Sequence, residues 1–381
     1  MLVKPRLLTP GPTPLLPEGL AAQTLATLHH RTPQFRALFK QARAALGRFY
    51  RLDAGEQVVM FAGSGSLGME AALVNAVPPG STVLVAHAGK FGERWLKIAK
   101  AYGLSVIEVT SEYGHAVQPD QLERALAGAP KLAALCVQEH ESSTGVRHPV
   151  KALAAVLRAH QPDAMVIVDG ITGVGVHDIR LADGIDALVC SSQKALALQP
   201  GLAFVALSSR YVQALDSSRL PRFYLDIRQE LKAHADDGTA WTPAIGLVAA
   251  LDAMLSWIEA RGGVQTMIDN AALQAQAFRA AMRAWDLPGF AHAPGNALSA
   301  VCVDDSTKLI KALRDKFGLS LANGQGSMEG KIVRVTHMGY VDALDTLMAV
   351  SALEAAFQRF GVKHGPGGSA AAQAVLASRL S

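Results

Sequence analysis

Short apolar runs rich in β-branched residues alternate with longer helical patterns through the middle of this chain. Between residues 57 and 208 the apolar runs include VVMFA, TVLVA, AMVIVDG and ALVCSS, and patterns such as SLGMEAALVNAV and FGERWLKIAKAYG lie between them. Strands that alternate with helices in this way form a mainly parallel sheet with helices on both faces. The pattern therefore predicts an α/β fold, and such sheets bind ligands at the carboxyl ends of their strands.

The sequence also predicts how the whole chain is divided into domains. A length of 381 residues suits one large domain and one small domain. We predict an N-terminal arm over residues 1–20, a large domain over 21–285, a smaller α+β domain over 286–364 and a tail over 365–381. The tail is rich in Gly, Ala and Ser, which predicts an appendage that is helical only in part.

Charge and cysteine usage exclude several classes of protein. The net charge is +4, and the charged residues form no block of like sign, so nucleic acid is not an expected partner. No uncharged stretch is long and unbroken enough to predict a membrane span. Cys136, Cys190 and Cys302 are far apart and form no CxxC pair, so we expect free thiols, no metal site and a cytoplasmic protein.

Two ionisable residues follow buried strands of the predicted sheet. Asp169 comes directly after the apolar run 164–168, where an unpaired carboxylate is costly, and Lys194 follows the run ALVCSSQ. Either residue alone could be an ordinary turn residue, because Asp favours turns and Lys is usually exposed. Together they predict one site at the carboxyl edge of the sheet.

An amine and a carboxylate in one site are what pyridoxal 5′-phosphate (PLP) requires. The amine forms an imine with the cofactor aldehyde, and the carboxylate keeps the pyridine nitrogen protonated, so that the ring withdraws electrons from the substrate's α-carbon. The amine, once released, can move the α-proton as a general acid and base. We therefore predict that Lys194 and Asp169 are catalytic residues.

A glycine- and serine-rich turn, AGSGSLGMEAAL, lies between a predicted strand and a predicted helix. Free backbone amides at the start of such a helix bind phosphate. The turn also matches the GxGxxG fingerprint of dinucleotide-binding domains, and a purely structural turn is a further alternative. A dinucleotide site expects an acidic residue at the end of the next strand, but TVLVA is followed by His87, Ala88 and Gly89. The phosphate of PLP is therefore the favoured ligand.

Further motifs occur along the chain in a matching order: GPTPLLP, SGSLGMEAALVNAVPPGSTVLV, HESSTGV, VDGITGVG, SSQKAL with PGLAFVALS, FYLDI and GKIVRVTHMG. Together they resemble the class V aminotransferases of PLP fold type I, most closely the alanine–glyoxylate and serine–pyruvate branch, over residues 7–360. The resemblance implies a large domain with a mainly parallel, seven-stranded sheet between helices and a smaller C-terminal α+β domain.

The resemblance also implies cofactor-binding residues. Lys194 would carry PLP as a Schiff base, and Asp169 would pair with the ring nitrogen. The other implied cofactor-binding residues are Ser64, Gly65 and Ser66 in the phosphate turn, Phe91 stacked on the ring, Ser142 near the 3′-hydroxyl, Ile171 under the ring, Gln193 at the phosphate, and Thr239 and Thr242 at the neighbouring subunit's cofactor. The last two imply a homodimer with shared active sites. Phenylalanine keeps the apolar stacking that the family usually obtains from tryptophan but lacks the indole N–H.

Substrate binding is implied for two residues. Arg334 in GKIVRVTHMG aligns with the arginine that binds the substrate's α-carboxylate, a role that suits a planar group able to bond both oxygens. A surface arginine on a strand is the alternative. Gly11, in the GPTP segment, would lie across the mouth of the site and contact substrate through its backbone. No role is assigned to His29, His30 or Arg31.

The expected reaction moves the amino group of a small amino acid, alanine or serine, to glyoxylate or pyruvate by a ping-pong mechanism. One carboxylate-binding arginine favours a donor without a second acid group. The alternatives are an aminoethylphosphonate, pyridoxamine or ureidoglycine transaminase, a nicotinamide dehydrogenase, and a non-catalytic hydrogenase-associated subunit. A cysteine desulfurase is disfavoured because Cys302 lies in a strand-like run rather than a mobile loop.

Overall fold

A computed structural model describes residues 3–24 and 28–380 of the chain. Residues 1, 2, 25–27 and 381, which belong to the predicted arm, large domain and tail, lie outside the described residues. The strands are β1 (Arg6–Leu7), β2 (Gln57–Gly63), β3 (Thr82–His87), β4 (Ser105–Thr110), β5 (Leu132–Gln138), β6 (His140–Glu141), β7 (Val146–Arg147), β8 (Met165–Asp169), β9 (Ala187–Ser191), β10 (Gly201–Leu207), β11 (Leu298–Cys302), β12 (Leu319–Ser320), β13 (Ala322–Asn323) and β14 (Ile332–Thr336).

The helices are α1 (Pro17–Gln23), α2 (Pro33–Tyr50), α3 (Gly65–Val74), α4 (Gly92–Ala101), α5 (Pro119–Leu126), α6 (Val150–His160), α7 (Ser209–Ala214), α8 (Ile227–His234), α9 (Ile245–Glu259), α10 (Val264–Trp285), α11 (Ser306–Ala312), α12 (Ala343–Phe360) and α13 (Gly368–Leu376). Among the residues that the structure describes, no helix combines the length and hydropathy needed to cross a membrane.

The central sheet has the strand order β2-β10-β9-β8-β5-β3-β4. Its strands are parallel except for β10, which is antiparallel to both of its neighbours. One buried hydrophobic cluster lies on each face of this sheet. Because both faces are covered, β8 and β9 are buried along their whole length and consist of continuous apolar runs. The predicted seven-stranded, mainly parallel sheet is confirmed.

The carboxyl edge of the sheet gathers three chain segments. β8 ends at Asp169, β9 ends shortly before Lys194, and β2 leads through Ser64 into α3. Since parallel strands end at the same edge, residues far apart in sequence meet there. This edge is where ligands bind in folds of this kind.

A smaller sheet, β11-β14-β13, is antiparallel and packs with α10, α11, α12 and α13 around a separate hydrophobic cluster. The N-terminal arm reaches this region, because β1 pairs in parallel with β12 and Arg6 lies opposite Leu319. The second half of α10, including Phe278 and Trp285, belongs to the same cluster.

The C-terminal tail differs from the prediction of a partly helical appendage. Residues Gly368–Leu376 form α13, and Ala372 and Leu376 are buried in the cluster formed with α10 and α12. A side chain at Gly368 would place its Cβ 2.0 Å from the indole nitrogen of Trp285. The small residues, from which an appendage was predicted, instead allow the helix to lie close to its neighbours.

Candidate active site

A cavity of about 250 Å³ opens at the carboxyl edge of the central sheet. Ten of the residues that the sequence predicts as site residues line it: Gly11, Ser64, Gly65, Ser66, Phe91, Ser142, Asp169, Ile171, Gln193 and Lys194. They come from the N-terminal arm, the β2–α3 turn, the start of α4 and the segments that follow β6, β8 and β9.

The amine of Lys194 lies in this cavity in an almost completely buried position. Its Nζ donates a hydrogen bond to the carbonyl oxygen of Pro10 at 2.5 Å, and its backbone carbonyl accepts one from the Thr13 hydroxyl at 2.8 Å. Burial lowers the pKa of Lys194 to about 8, although the nearby charge of Asp169 opposes that shift. At pH 7 about a tenth of the amine is therefore neutral, as a nucleophile must be, which is far more than for an ordinary lysine.

The arm closes tightly over this lysine. A Cβ on Gly11 would lie 2.3 Å from Nζ of Lys194, and the backbone of Gly11 has a φ of +133°. Only glycine meets both conditions without strain. Gly11 therefore lets the arm lie directly across the amine, as the sequence predicts for the mouth of the site.

The carboxylate of Asp169 is also buried, and its Oδ1 accepts a hydrogen bond from the backbone N–H of Ile171 at 2.9 Å. Burial raises the pKa of Asp169 to about 6, and the positive charges of Arg94 and Lys194 only partly oppose this rise. A cation next to a buried carboxyl group stabilises its ionised form and lowers its pKa. A protonated pyridine nitrogen is such a cation.

The phosphate turn begins α3 with its backbone amides unoccupied by a side-chain cap. Ser64, the residue before the helix, is extended and makes no side-chain capping bond. A Cβ on Gly65 would lie 2.4 Å from Cδ1 of Ile171, so glycine is required for the helix start to approach the cavity wall. These free donors fit a phosphate group. Gln193 can add a donor only through its side-chain NH2 group, because its side-chain oxygen, buried and without a partner among the described residues, is an acceptor like the phosphate oxygens.

Arg334 lies on β14 and contacts Ser142, which lines the cavity, but Arg334 is not itself among the lining residues. Its Nη1 donates to the carbonyl oxygen of Ser142 at 2.6 Å, while Nε and Nη2 donate to the carbonyl oxygen of Asn323. Burial lowers the pKa of Arg334 to about 10, which still leaves it charged at neutral pH. Three of its five N–H donors are therefore held by the protein, and two remain for a ligand.

Thr239 and Thr242 are not brought into the cavity of Lys194 in the single chain. They line a separate cavity with Tyr224 and Trp241, and the Thr239 hydroxyl donates to the carbonyl oxygen of Trp241 at 2.7 Å. Their predicted contact with a cofactor requires a neighbouring subunit. It remains a prediction.

The structure adds residues that the sequence did not single out. Arg94, His140 and Thr172 line the cavity, together with Pro12 and Pro200. Arg94 lies in the segment FGERWLKIAKAYG and His140 in the motif HESSTGV, and this position is the only signal that could have identified them. Burial lowers the pKa of His140 well below its usual value, so its ring is neutral.

Glu141 is a further residue that the sequence did not single out, and it supports the loop that carries Phe91. Glu141 is fully buried, and its carboxylate accepts hydrogen bonds from the backbone N–H groups of Phe91 at 3.1 Å, Gly92 at 3.0 Å and Ser143 at 3.0 Å. These bonds fix the loop that presents the Phe91 ring. Bonds of this kind to an ionised acceptor are among the stronger ones in proteins.

Comparison with known proteins agrees with this architecture. The family model "Aminotransferase class-V" matches residues 18–326. The chain is 32% identical to the soluble hydrogenase 42 kDa subunit of Anabaena cylindrica over 97% of each chain. It is 31% identical to the L-aspartate–glyoxylate aminotransferase of Paracoccus denitrificans, over 91% of this chain and 89% of that one. The crystal structure of pyridoxamine–pyruvate aminotransferase from Mesorhizobium loti superposes with a TM-score of 0.93 at 27% identity, covering 99% of this chain and 98% of that one.

An α/β sheet with a buried lysine and a buried aspartate at its carboxyl edge defines the class of PLP-dependent enzymes to which these neighbours belong. The chain belongs to the class V aminotransferase family. It is an aminotransferase, and its cofactor is PLP. The free amides at the start of α3 and the buried acid of Asp169 fit that cofactor.

Proposed function

We propose that this aminotransferase transfers the amino group of alanine or serine to glyoxylate or pyruvate by a ping-pong mechanism, as a homodimer with shared active sites. The free donors of Arg334 are the observation that carries the proposal. Two of its five N–H groups, next to Ser142, are unoccupied by the described residues, which is enough to bind one substrate carboxylate. A donor with a single carboxylate, such as alanine or serine, needs no second cation.

The chemistry of the substrate's α-carbon falls to Lys194 and Asp169. PLP, when bound, supplies an aldehyde carbon and an electron-withdrawing ring. Lys194, with a pKa of about 8, would hold the cofactor at that carbon, and its Nζ would serve as the group that accepts and returns the α-proton. Asp169 holds the proton on the ring nitrogen by its negative charge, which a buried site makes more effective.

The residues around Lys194 and Asp169 orient the cofactor and the substrate and exclude water from the site. Phe91 and Ile171 provide apolar contacts for the two faces of the ring, and Ser64, Gly65, Ser66 and Gln193 bind the phosphate. The arm at Gly11 and Pro12 covers the amine and excludes water from it. The two unoccupied N–H donors of Arg334 bind the substrate carboxylate beside Ser142.

The names of similar proteins support the acceptor better than the donor. The Paracoccus relative is named for glyoxylate and the Mesorhizobium structure for pyruvate, but their donors are aspartate and pyridoxamine. The Anabaena relative is named a hydrogenase subunit, which is the basis of a non-catalytic alternative. A buried lysine beside a buried aspartate costs stability and serves no purpose in a protein that only assembles, so we favour the enzyme.

Initial rates with a substrate panel test the proposal. Alanine, serine, aspartate, pyridoxamine and aminoethylphosphonate are each offered with glyoxylate and with pyruvate. We expect alanine or serine to have the highest kcat/KM by at least about tenfold, and reciprocal plots at several acceptor concentrations to be parallel. A preference for aspartate or pyridoxamine of the same size would overturn the donor assignment while leaving the family intact.

Arg334→Ala refines the same test. Loss of the carboxylate contact should raise KM for the amino acid about 10- to 100-fold without changing the cofactor's absorbance. Arg314→Ala, on the exposed face of the small domain, is the matched control. Equal damage to cofactor binding would show that Arg334 is not a substrate residue.

A further inference from the structure

Arg94 is the charged residue of the cavity for which the reaction has so far required no role. It lies in the first turn of α4, three residues after Phe91, and its Nη1 donates a hydrogen bond to the hydroxyl of Ser66 at 2.8 Å. Ser66 is the second residue of α3 and part of the phosphate turn. The guanidinium therefore stands at the phosphate end of the cavity, whereas Arg334 contacts Ser142.

Arg94 forms no ion pair among the described residues, although its charge acts on the Asp169 carboxylate at longer range. Its guanidinium lies over the Phe91 ring, with Cζ 5.1 Å from the ring centroid. One of its five N–H donors bonds Ser66, and the others are available to a ligand. An unpaired, half-buried guanidinium beside free backbone amides is suited to an anion.

The remaining residues of the phosphate turn carry no full positive charge. Ser64, Gly65, Ser66 and Gln193 offer neutral donors, and the start of α3 contributes only about half a charge. Lys194 is the other cation among the lining residues, and its amine is committed to the cofactor's aldehyde carbon. A phosphate with nearly two negative charges thus lacks a counterion unless Arg94 supplies it.

We propose that Arg94 is a cofactor-binding residue that pairs with the phosphate of PLP and gives this protein its preference for the phosphorylated form of the cofactor. The proposal rests on the PLP assignment and adds one residue to the site. In it, the planar guanidinium bonds Ser66 through one N–H and phosphate oxygens through others. Ser66 then fixes the direction of Arg94 as well as bonding the phosphate itself.

A comparison of two vitamers tests this proposal independently of turnover. The full-length protein, freed of cofactor, is titrated with PLP and with pyridoxal, which has the same aldehyde and ring but no phosphate. Arg94→Gln should weaken PLP binding about 10- to 100-fold, because a charged hydrogen-bond partner is lost, and should change pyridoxal binding by less than about threefold. Arg94→Lys should keep most of the preference because it keeps the charge.

Lys97→Gln is the matched control, since it removes one positive charge from an exposed position of the same helix. It should leave both affinities unchanged. Unaltered circular dichroism of all variants would show that they fold.

The titrations distinguish three results that would overturn the role of Arg94. If Arg94→Gln weakens PLP and pyridoxal equally, or weakens neither, Arg94 does not bind the phosphate. If PLP affinity is unchanged and only KM for a dicarboxylic donor rises, the guanidinium serves the substrate instead. If the unaltered protein binds no PLP, the cofactor assignment fails and this proposal fails with it.

Discussion

Lys194 and Asp169 are both held where their charges are disfavoured. Burial lowers the pKa of the lysine to about 8 and raises that of the aspartate to about 6. Such opposing shifts are typical of sites that act on protons, because each group can then change charge near neutral pH.

Asp169→Asn should stabilise the cofactor-free protein while removing most turnover. The folded pKa of about 6 exceeds the ordinary value of 3.8, so the contribution of this carboxyl to stability is present below about pH 4 and is lost as the pH rises through 6. Asparagine cannot ionise, so at about pH 8 the variant should be about 1–3 kcal/mol more stable, and the difference should narrow between pH 7 and pH 4. Urea unfolding across this range measures it.

Asp163→Asn, at an exposed position, is the control and should show no pH-dependent gain. A variant of Asp169 that is less stable at every pH would mean that the ionised carboxylate is stabilised by the fold, contrary to this account.

The rate at which Lys194 attaches PLP should rise with pH and level off just above pH 8. Only the neutral amine adds to a carbonyl, and the pKa of this amine is lowered to about 8. Stopped-flow absorbance after mixing cofactor-free protein with PLP between about pH 6 and pH 10 follows the reaction. A free lysine derivative, with a pKa near 10.4, is the reference, and a protein profile that matches it would contradict the burial argument.

At the scale of elements, the sequence predicts well whatever depends on local pattern. β8 and β9 are continuous apolar runs, so their existence, their burial and the positions of Asp169 and Lys194 at their ends could be inferred from the chain alone. Contacts between distant segments could not. The pairing of Arg6 with Leu319, and the hydrogen bond from Arg94 to Ser66, depend on how whole elements pack.

The C-terminal helix shows most clearly what composition cannot predict. Its composition predicted an appendage that is helical only in part, but its small residues give α13 close contact with α10 beside Trp285. A composition rule cannot distinguish small residues that leave a chain flexible from those that allow two helices to approach.

A single charge tests whether α13 is part of the folded core. Ala372→Asp would bury an unpaired carboxylate and should lower the free energy of unfolding by about 2–4 kcal/mol. Ala374→Asp places the same charge on the exposed face of the same helix and should cost less than about 0.5 kcal/mol. Equal effects of the two substitutions in thermal unfolding would show that the helix does not pack as described.

At the scale of the whole molecule, one aromatic surface stands out. Phe223 is 76% exposed and packs at a tilt against Trp241. Tyr224 stacks on the same Trp241 ring, and both line the cavity that contains Thr239 and Thr242. Exposed aromatic groups of this size mark binding surfaces. A second copy of the chain on this surface would bring the two threonines to its cofactor, as the homodimer requires.

Phe223→Asp should therefore shift the protein from dimer to monomer and weaken PLP binding, although this residue is not in the cavity of Lys194. Sedimentation velocity and a PLP titration measure the two effects together. Phe360→Asp changes an equally aromatic but separate exposed position at the end of α12 and should change neither. Loss of the dimer without loss of PLP affinity would contradict shared active sites.

The central claim is that Lys194 carries the cofactor, and covalent trapping tests it most directly. Borohydride reduction of the PLP-loaded protein followed by proteolysis and mass spectrometry locates the modified lysine. The account predicts that the pyridoxyl group is found on Lys194, and that Lys194→Ala yields no specific adduct. A pyridoxyl group on another lysine, or no pyridoxyl group after reduction of the PLP-loaded protein, would contradict the assignment of Lys194.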